Sequence, residues 1–404
     1  MRYFIGFSLF LLLAVFIPHN HAAQEEIDKE LWQKALQIHH KAIVIDTHAD
    51  TPSKMLRRDF DIGIRSDEGH IDLIRMKEGG LDAQFMAVFV SQGSEGQQAA
   101  HSALELIDAI LEQVEAHSDK AVMAYSPADI RRLHSQGKIA ILMGMENGIP
   151  VEESLLLLRN FYRLGIRYIT LCHSGTNFIC DSATDEPKWN GLSDFGKEMV
   201  QEMNRLGIMV DVSHISDKAF WDVLKTSRAP VIASHSCARA LCDVERNLSD
   251  DMIKALAKNG GVVQLAYVSD FVSQDYGNKA RERQQKLAPA MNELREKYKD
   301  DREGLYRELR ALYEKNPVAP PPITSLIDHI DHIVKLVGVD HVGLGSDFDG
   351  TSSVPQGLED VSKLPIITYH LLKRGYKEEE IIKILGGNLL RVFEKVEEVA
   401  KQSS

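Results

Sequence analysis

Eight short apolar runs, separated by segments with helical periodicity, constrain this chain more than any other feature. The runs are Ile43–Thr47, Ala83–Val90, Ile139–Met145, Tyr168–Leu171, Ile208–Val212, Val231–Ala233, Val262–Tyr267 and Val342–Gly345. An amphipathic stretch, Gln24–His40, precedes the first, and others include Ser102–Ala116, Ser154–Leu164, Ser193–Leu206, Ser216–Lys225 and Ser249–Lys258. Each begins a helix with a serine able to cap free N–H groups, except the first, and Gly165, Gly207 and Gly260 sit where helix ends need a left-handed residue. A strand that returns through a helix to another strand makes a parallel connection, so eight such units predict a (β/α)8 TIM-type barrel. A doubly wound sheet is the competing arrangement, but no Gly-x-Gly-x-x-Gly follows the first run. The 404 residues suit one barrel with insertions as well as two ordinary domains.

One segment breaks the alternation. Residues 273–315 are densely charged, with helical patterns over Ala290–Lys299 and Arg302–Glu314, and run into Pro320-Pro321-Pro322. They read as a helical insertion of about 273–322 after the seventh strand, lying over one face of the barrel as a solvated excursion, a lid or a dimer contact. In the next helix, Thr324–Val337, the apolar face holds Leu326, Ile327, Ile330, Ile333, Val334 and Val337. His329 and His332 are expected on its polar side with Asp328 and Asp331, as a surface charge pattern.

Residues 1–23 carry Arg2, an apolar run from Phe4 to Ile17 broken by Gly6 and Ser8, and the small pair Ala22-Ala23. They read as a secretory signal peptide, with an apolar run shorter than the roughly 20 residues of a membrane span. The expectation is an exported protein, periplasmic or extracellular, whose mature domain is 24–404. No stable membrane anchor is expected, since no cysteine follows the run and Val396–Ser404 is polar. Export leaves Cys172, Cys180, Cys237 and Cys242 open to disulfides without fixing their pairing. A net charge of -12 argues against a nucleic-acid partner.

Barrels of this kind carry their chemistry at the C-terminal ends of the strands. The first strand ends in His48-Ala49-Asp50, the third in Glu146-Asn147-Gly148, the fourth in Cys172-His173-Ser174, the fifth in Val212-Ser213-His214, the sixth in Ser234-His235-Ser236, and the eighth in Ser346-Asp347. In a strand, residues i and i+2 share a face, so His48 and Asp50 can offer a nitrogen and an oxygen to one ion. Four histidines and three carboxylates at one rim would cost several kcal/mol each if buried without compensation, and divalent cations supply it. Five of them, His48, Asp50, Glu146, His214 and His235, exceed one tetrahedral site with an open position. They suit two Zn²⁺ ions, with His48 and Asp50 on one, His214 and His235 on the other, and Glu146 bridging. A hydroxide between ions roughly 3.5–4 Å apart would be a nucleophile at neutral pH. His173 could stabilise an oxyanion, and Asp347 could move a proton or hold an amine. Arg246 could clamp a carboxylate, although spacing alone reads it as a surface arginine. His39 and His40 are expected to face the C-terminal dipole of the first helix rather than a metal.

The pattern resembles the membrane (renal-type) dipeptidases, dinuclear zinc peptidases on a (β/α)8 barrel. The resemblance runs through Asp46-Thr47-His48-Ala49-Asp50, Glu146-Asn147-Gly148, Thr170-Leu171-Cys172-His173-Ser174 and Asn204 to His214. It continues in Pro230 to Ser236, Arg246-Asn247, Gly345-Ser346-Asp347-Phe348-Asp349-Gly350 and Gly386 to Phe393. It implies that His48, Asp50, Glu146, His214 and His235 hold two Zn²⁺ ions and that His173, Arg246 and Asp347 bind substrate or stabilise the transition state. It further implies a dipeptide substrate, tolerance of a D-residue at the C-terminal position, and a homodimer. The 273–322 insertion is long compared with the family's mammalian members and would narrow the pocket. A lactonase or phosphotriesterase-like amidohydrolase is disfavoured because the first strand carries His-x-Asp rather than His-x-His and no lysine marks the fourth. A non-catalytic, metal-stabilised binding protein would not need His173 and Asp347.

Overall fold

The computed structural model describes residues 27–57, 59–93, 98–299 and 301–402, so the segment read as a signal peptide lies outside the described residues. Every expected run forms a strand, with ends moved by a few residues: β1 Ile45–Ala49, β2 Ala83–Phe89, β3 Ile139–Glu146, β4 Ile166–Thr170, β5 Met209–Asp211, β6 Ile232–Ser236, β7 Val262–Leu265 and β8 Val342–Leu344. Each pairs in parallel with the next, and a parallel bridge from Ala49 to Phe348 brings the chain after β8 back to β1, nearly closing the ring. A further strand, Ala121–Met123, is not anticipated by the sequence. It pairs with the first residues of β3, below Met143, where β4 takes over as the neighbour.

The strands are buried on both faces because helices cover the outside and side chains fill the inside. Ile45, Phe85, Leu142, Tyr168 and Met209 pack within the ring on Leu389, Leu390 and Phe393 of the C-terminal helix Asn388–Gln402. That helix closes the end of the barrel where the strands start, which leaves the opposite mouth for ligands. Ile45 and His48 both reach Tyr168 or its cluster although they are three residues apart, a spacing a regular strand forbids. The register of β1 against β2 slips between Asp46 and Ala49, and this irregularity turns His48 inward.

The expected caps are formed at four helices: Ser154, Ser193, Ser216 and Ser249 accept the N–H of Leu157, Gly196, Ala219 and Met252. Ser102 is different, since its helix already starts at Ala99. After β7 come the helices Ser269–Val272, Gln274–Lys297 and Arg302–Glu314. Pro289 lies inside the second of these, on a solvent-facing position where the missing N–H is cheapest. Arg283 stacks over Tyr313 and the Tyr313 hydroxyl donates to Met291 Sδ, joining the two long helices. Among the described residues no helix is long and apolar enough to cross a membrane.

His329 corrects the expected surface pattern. It is fully buried, accepts the Ala238 N–H at Nδ1 and donates from Nε2 to the Val272 carbonyl. The side of the helix Ile323–Val337 that periodicity marks as polar is covered there by the loop after β6 and the start of the insertion. His332 does stay near the surface, 2.7 Å from Asp250. His39 is likewise buried, held between Thr368 and the Gly79 carbonyl.

Candidate metal centre

All five proposed ligands converge at the open mouth. His48 Nε2 lies 3.4 Å from Asp50 Oδ2 and 3.3 Å from Glu146 Oε2, while Glu146 Oε1 is 3.0 Å from His214 Nε2 and 3.5 Å from His235 Nε2. His214 Nε2 and His235 Nε2 are 2.8 Å apart. Glu146 thus touches histidines on both sides with its two oxygens, as a bridging carboxylate would. The donors group less simply than the sequence suggests. Sets compatible with an ion are His48 with Glu146 and His235, Glu146 with His173 and His214, and His48 with Asp50 and Asp347. His235 therefore falls beside His48, its ring stacked at 3.9 Å, and His173 and Asp347 stand at the edge of the same cluster.

The local backbone is strained where the chain leaves the strands. Asn147, His214 and Asp347 all have positive φ, near 70°, 70° and 61°. For residues with a Cβ this costs on the order of 1–3 kcal/mol each and persists only where surrounding contacts dictate it. Gly350 is required by packing: a Cβ there would fall 2.2 Å from Asp347 Oδ1 and 2.3 Å from Asp50 Oδ2.

Charge in the cluster is arranged to receive cations. Burial alone would raise Glu146, but His48, His214 and His235 hold its carboxyl well below the usual range. Burial, then the charge of Glu146, raises Asp50, and burial, then Asp50, raises Asp347 well above a normal carboxyl. Burial also pushes His214 and His235 well down, so their rings are neutral donors. His48 is raised despite burial, by the oxygens of Tyr168 and Glu146 around it. His48 Nε2 has no hydrogen-bond partner although it is fully enclosed and faces two carboxylates. A nitrogen and oxygen donor set with an orphaned buried ring nitrogen at its centre fits divalent ions such as Zn²⁺.

Two of the histidines are held from behind. The Tyr168 hydroxyl lies 2.7 Å from His48 Nδ1, and Ser234 Oγ lies 2.8 Å from His235 Nδ1 while donating to Asp211. No sequence pattern assigns a role to Tyr168, Ser234 or Asp211. Asp211 offered a signal, as a carboxylate inside the apolar run of β5.

The cleft above the cluster has a volume of about 350 Å³ and is lined by His173, Arg246 and Asp347 together with Phe89, Val268 and Phe271. Arg246 is only 8% exposed, so the surface-arginine alternative does not hold. It stacks over Phe271 at 5.2 Å, donates to the His235 carbonyl, and keeps its Nε–H unpartnered. His173 Nδ1 is 2.9 Å from Ser174 Oγ, its Nε2 is 3.7 Å from Glu146, and burial lowers its pKa. The four cysteines are buried free thiols, and none contributes to the donor sets.

The family model of membrane dipeptidases (Peptidase family M19) matches residues 32–404. The chain is 38% identical over 341 residues to dipeptidase tcpJ of Claviceps purpurea (strain 20.1), covering 82% of this chain and 70% of that one. It is 35% identical over 371 residues to human dipeptidase 3, covering 89% and 66%. Among solved structures it is similar to the probable dipeptidase PvdM from Pseudomonas aeruginosa, with a TM-score of 0.76 and 29% identity over 92% of this chain and 99% of that one. It is also similar to a metallo peptidase from Rhodobacter sphaeroides liganded with a phosphinate mimic of L-Ala-D-Ala, with a TM-score of 0.73 and 26% identity over 88% and 99%.

Proposed function

The chain belongs to the membrane dipeptidase family, a family of metallopeptidases, and from that premise we propose that it is an exported zinc dipeptidase hydrolysing L-L and L-D dipeptides. The observation that carries this reading is the convergence of His48, Asp50, Glu146, His214 and His235 under a cleft lined by a buried cation, Arg246, and by the half-buried acid Asp347. A dipeptide is a short zwitterion, and such a cleft can recognise both of its ends. The phosphinate mimic of L-Ala-D-Ala in the Rhodobacter relative supports a D-residue at the second position.

His48, Asp50, Glu146, His214 and His235 would hold two Zn²⁺ ions. When bound, the ions supply an activated water, as hydroxide, and polarise the scissile carbonyl. The remaining steps fall to the chain. Arg246 donates to the substrate carboxylate, its guanidinium positioned by Phe271 and the His235 carbonyl. With Ser174 donating to Nδ1, neutral His173 carries its proton on Nε2 and offers it to the oxygen that gains charge in the tetrahedral intermediate. Asp347, raised toward its protonated form, holds the amine or returns a proton to the leaving nitrogen. Phe89, Val268 and Phe271 keep the far walls apolar.

Purified mature protein should cleave L-Ala-L-Ala and L-Ala-D-Ala, lose the activity in chelator and regain it with Zn²⁺. Folded, zinc-loaded protein that leaves both peptides intact would sink this reading. Export rests on residues 1–23; cell fractionation should recover a chain beginning near Gln24 outside the cytoplasm, and an intact leader in the cytoplasm would refute it. A homodimer, proposed with the family, requires twice the chain mass in light scattering.

A further inference from the structure

We infer that the hydroxyl of Tyr168, given its place by the absence of a side chain at Gly144, is a positioning group that orients His48 for metal binding. The inference rests on the metal reading above. Tyr168 and His48 are both fully buried, and the phenol oxygen is 2.7 Å from His48 Nδ1. An imidazole that offers Nε2 to a cation carries its proton on Nδ1, so Nδ1–H donates to the phenol and fixes both tautomer and ring angle. No other hydrogen bond reaches the His48 ring: its Nε2 has none, and among the described residues Nδ1 has only this one.

The position of the phenol is itself dictated by the neighbouring strand. A Cβ at Gly144 would lie 2.0 Å from Tyr168 Cζ and 2.2–2.4 Å from its Cε atoms, inside any permitted contact. Gly144 and Tyr168 are paired across β3 and β4, so the ring lies flat over a residue with no side chain. Phe85 packs against the same ring, with centroids 5.5 Å apart. A side chain at 144 therefore cannot coexist with the phenol where it stands, and either the ring or the strand must shift.

The test is a Zn²⁺ titration of the metal-free full-length mature protein by calorimetry, with thermal unfolding of the same apo samples. Tyr168→Phe keeps the ring and removes only the hydroxyl. It should lower the apo unfolding temperature modestly, because the buried His48 Nδ1–H loses its acceptor, and bind one Zn²⁺ as the wild type does and the other about 10–100-fold more weakly. Gly144→Ala keeps the hydroxyl but displaces it, and should reproduce that weakening. Two unchanged affinities in Tyr168→Phe, or a change confined to the apo unfolding temperature, would overturn the inference. So would Gly144→Ala with wild-type affinities. Wild-type protein that takes up no Zn²⁺ overturns the metal reading and this inference together, and is recognised before any substitution is made.

Discussion

Two buried Asp–Ser staples join different pairs of neighbouring strand ends with the same core of three hydrogen bonds, and Asp211 additionally accepts the Thr170 hydroxyl. Between β1 and the chain after β8, Asp46 Oδ1 accepts the N–H of His48 and of Ser346, and Oδ2 accepts the Ser346 hydroxyl. Between β5 and β6, Asp211 Oδ1 accepts the N–H of Ser213 and of Ser234, and Oδ2 accepts the Ser234 hydroxyl. In each case the residue after the serine, Asp347 or His235, lines the site. A further difference lies in what the serine oxygen then accepts. Ser346 takes a backbone N–H, from Phe348, while Ser234 faces the His235 ring at Nδ1. One staple fixes backbone only; the other also aims the ring of a proposed metal ligand, His235. The backbone-only staple stands beside His48, the histidine whose ring is steered by Tyr168 instead.

The largest test of this equivalence removes the acids. Asp211→Ala strands the donors of Ser213, Ser234 and Thr170, and Asp46→Ala strands those of His48 and Ser346. At about 1–3 kcal/mol for each orphaned buried donor, partly relieved by relaxation, both should lose roughly 3–5 kcal/mol in urea unfolding, with Asp211→Ala the worse. A loss under about 1 kcal/mol in either would remove it as a staple.

A pH series sharpens the comparison by separating it from an acid sensitivity that belongs elsewhere. Burial lowers His39 and His329 from 6.5 to about 4. The unfolded chain therefore binds protons first, so the stability each contributes is complete above 6.5 and is withdrawn as the pH falls toward 4. The expected loss is on the order of 3 kcal/mol per histidine. His39→Gln should flatten that part of the urea-midpoint profile. A profile no flatter than that of the wild type would place the sensitivity at other groups.

The smallest effect isolates the serine contact that reaches the His235 ring. Ser234→Ala and Ser346→Ala should each cost about 1–2 kcal/mol of stability. Only Ser234→Ala should also weaken Zn²⁺ binding, by about tenfold. Equal zinc affinities in the two variants would erase the distinction between the staples.

Much of the candidate site is legible because its residues are written in local patterns. His48, Asp50, Glu146, His173, His214, His235 and Asp347 all stand at strand ends, and strand ends follow from short apolar runs. Arg246 was legible by resemblance but not by spacing, since nothing near it in sequence marks it as buried; Phe271, His235 and Ser236 enclose it from other segments. His329 was misread for the same reason. Helical periodicity marks a polar side, and only the packing of residues 238 and 272 against it shows that this side is covered.

By itself the sequence determined the eight-fold alternation, the serine caps and the rim of donors, because periodicity, capping and strand length depend on residues a few positions apart. The tertiary structure decided how those donors share Glu146, which rings are held from behind, and that His48 turns inward at all. His48 meets Tyr168 across 120 positions and through a slipped register in β1. Such a meeting is fixed only when the barrel closes, because register and closure are properties of paired strands and of no single stretch of chain.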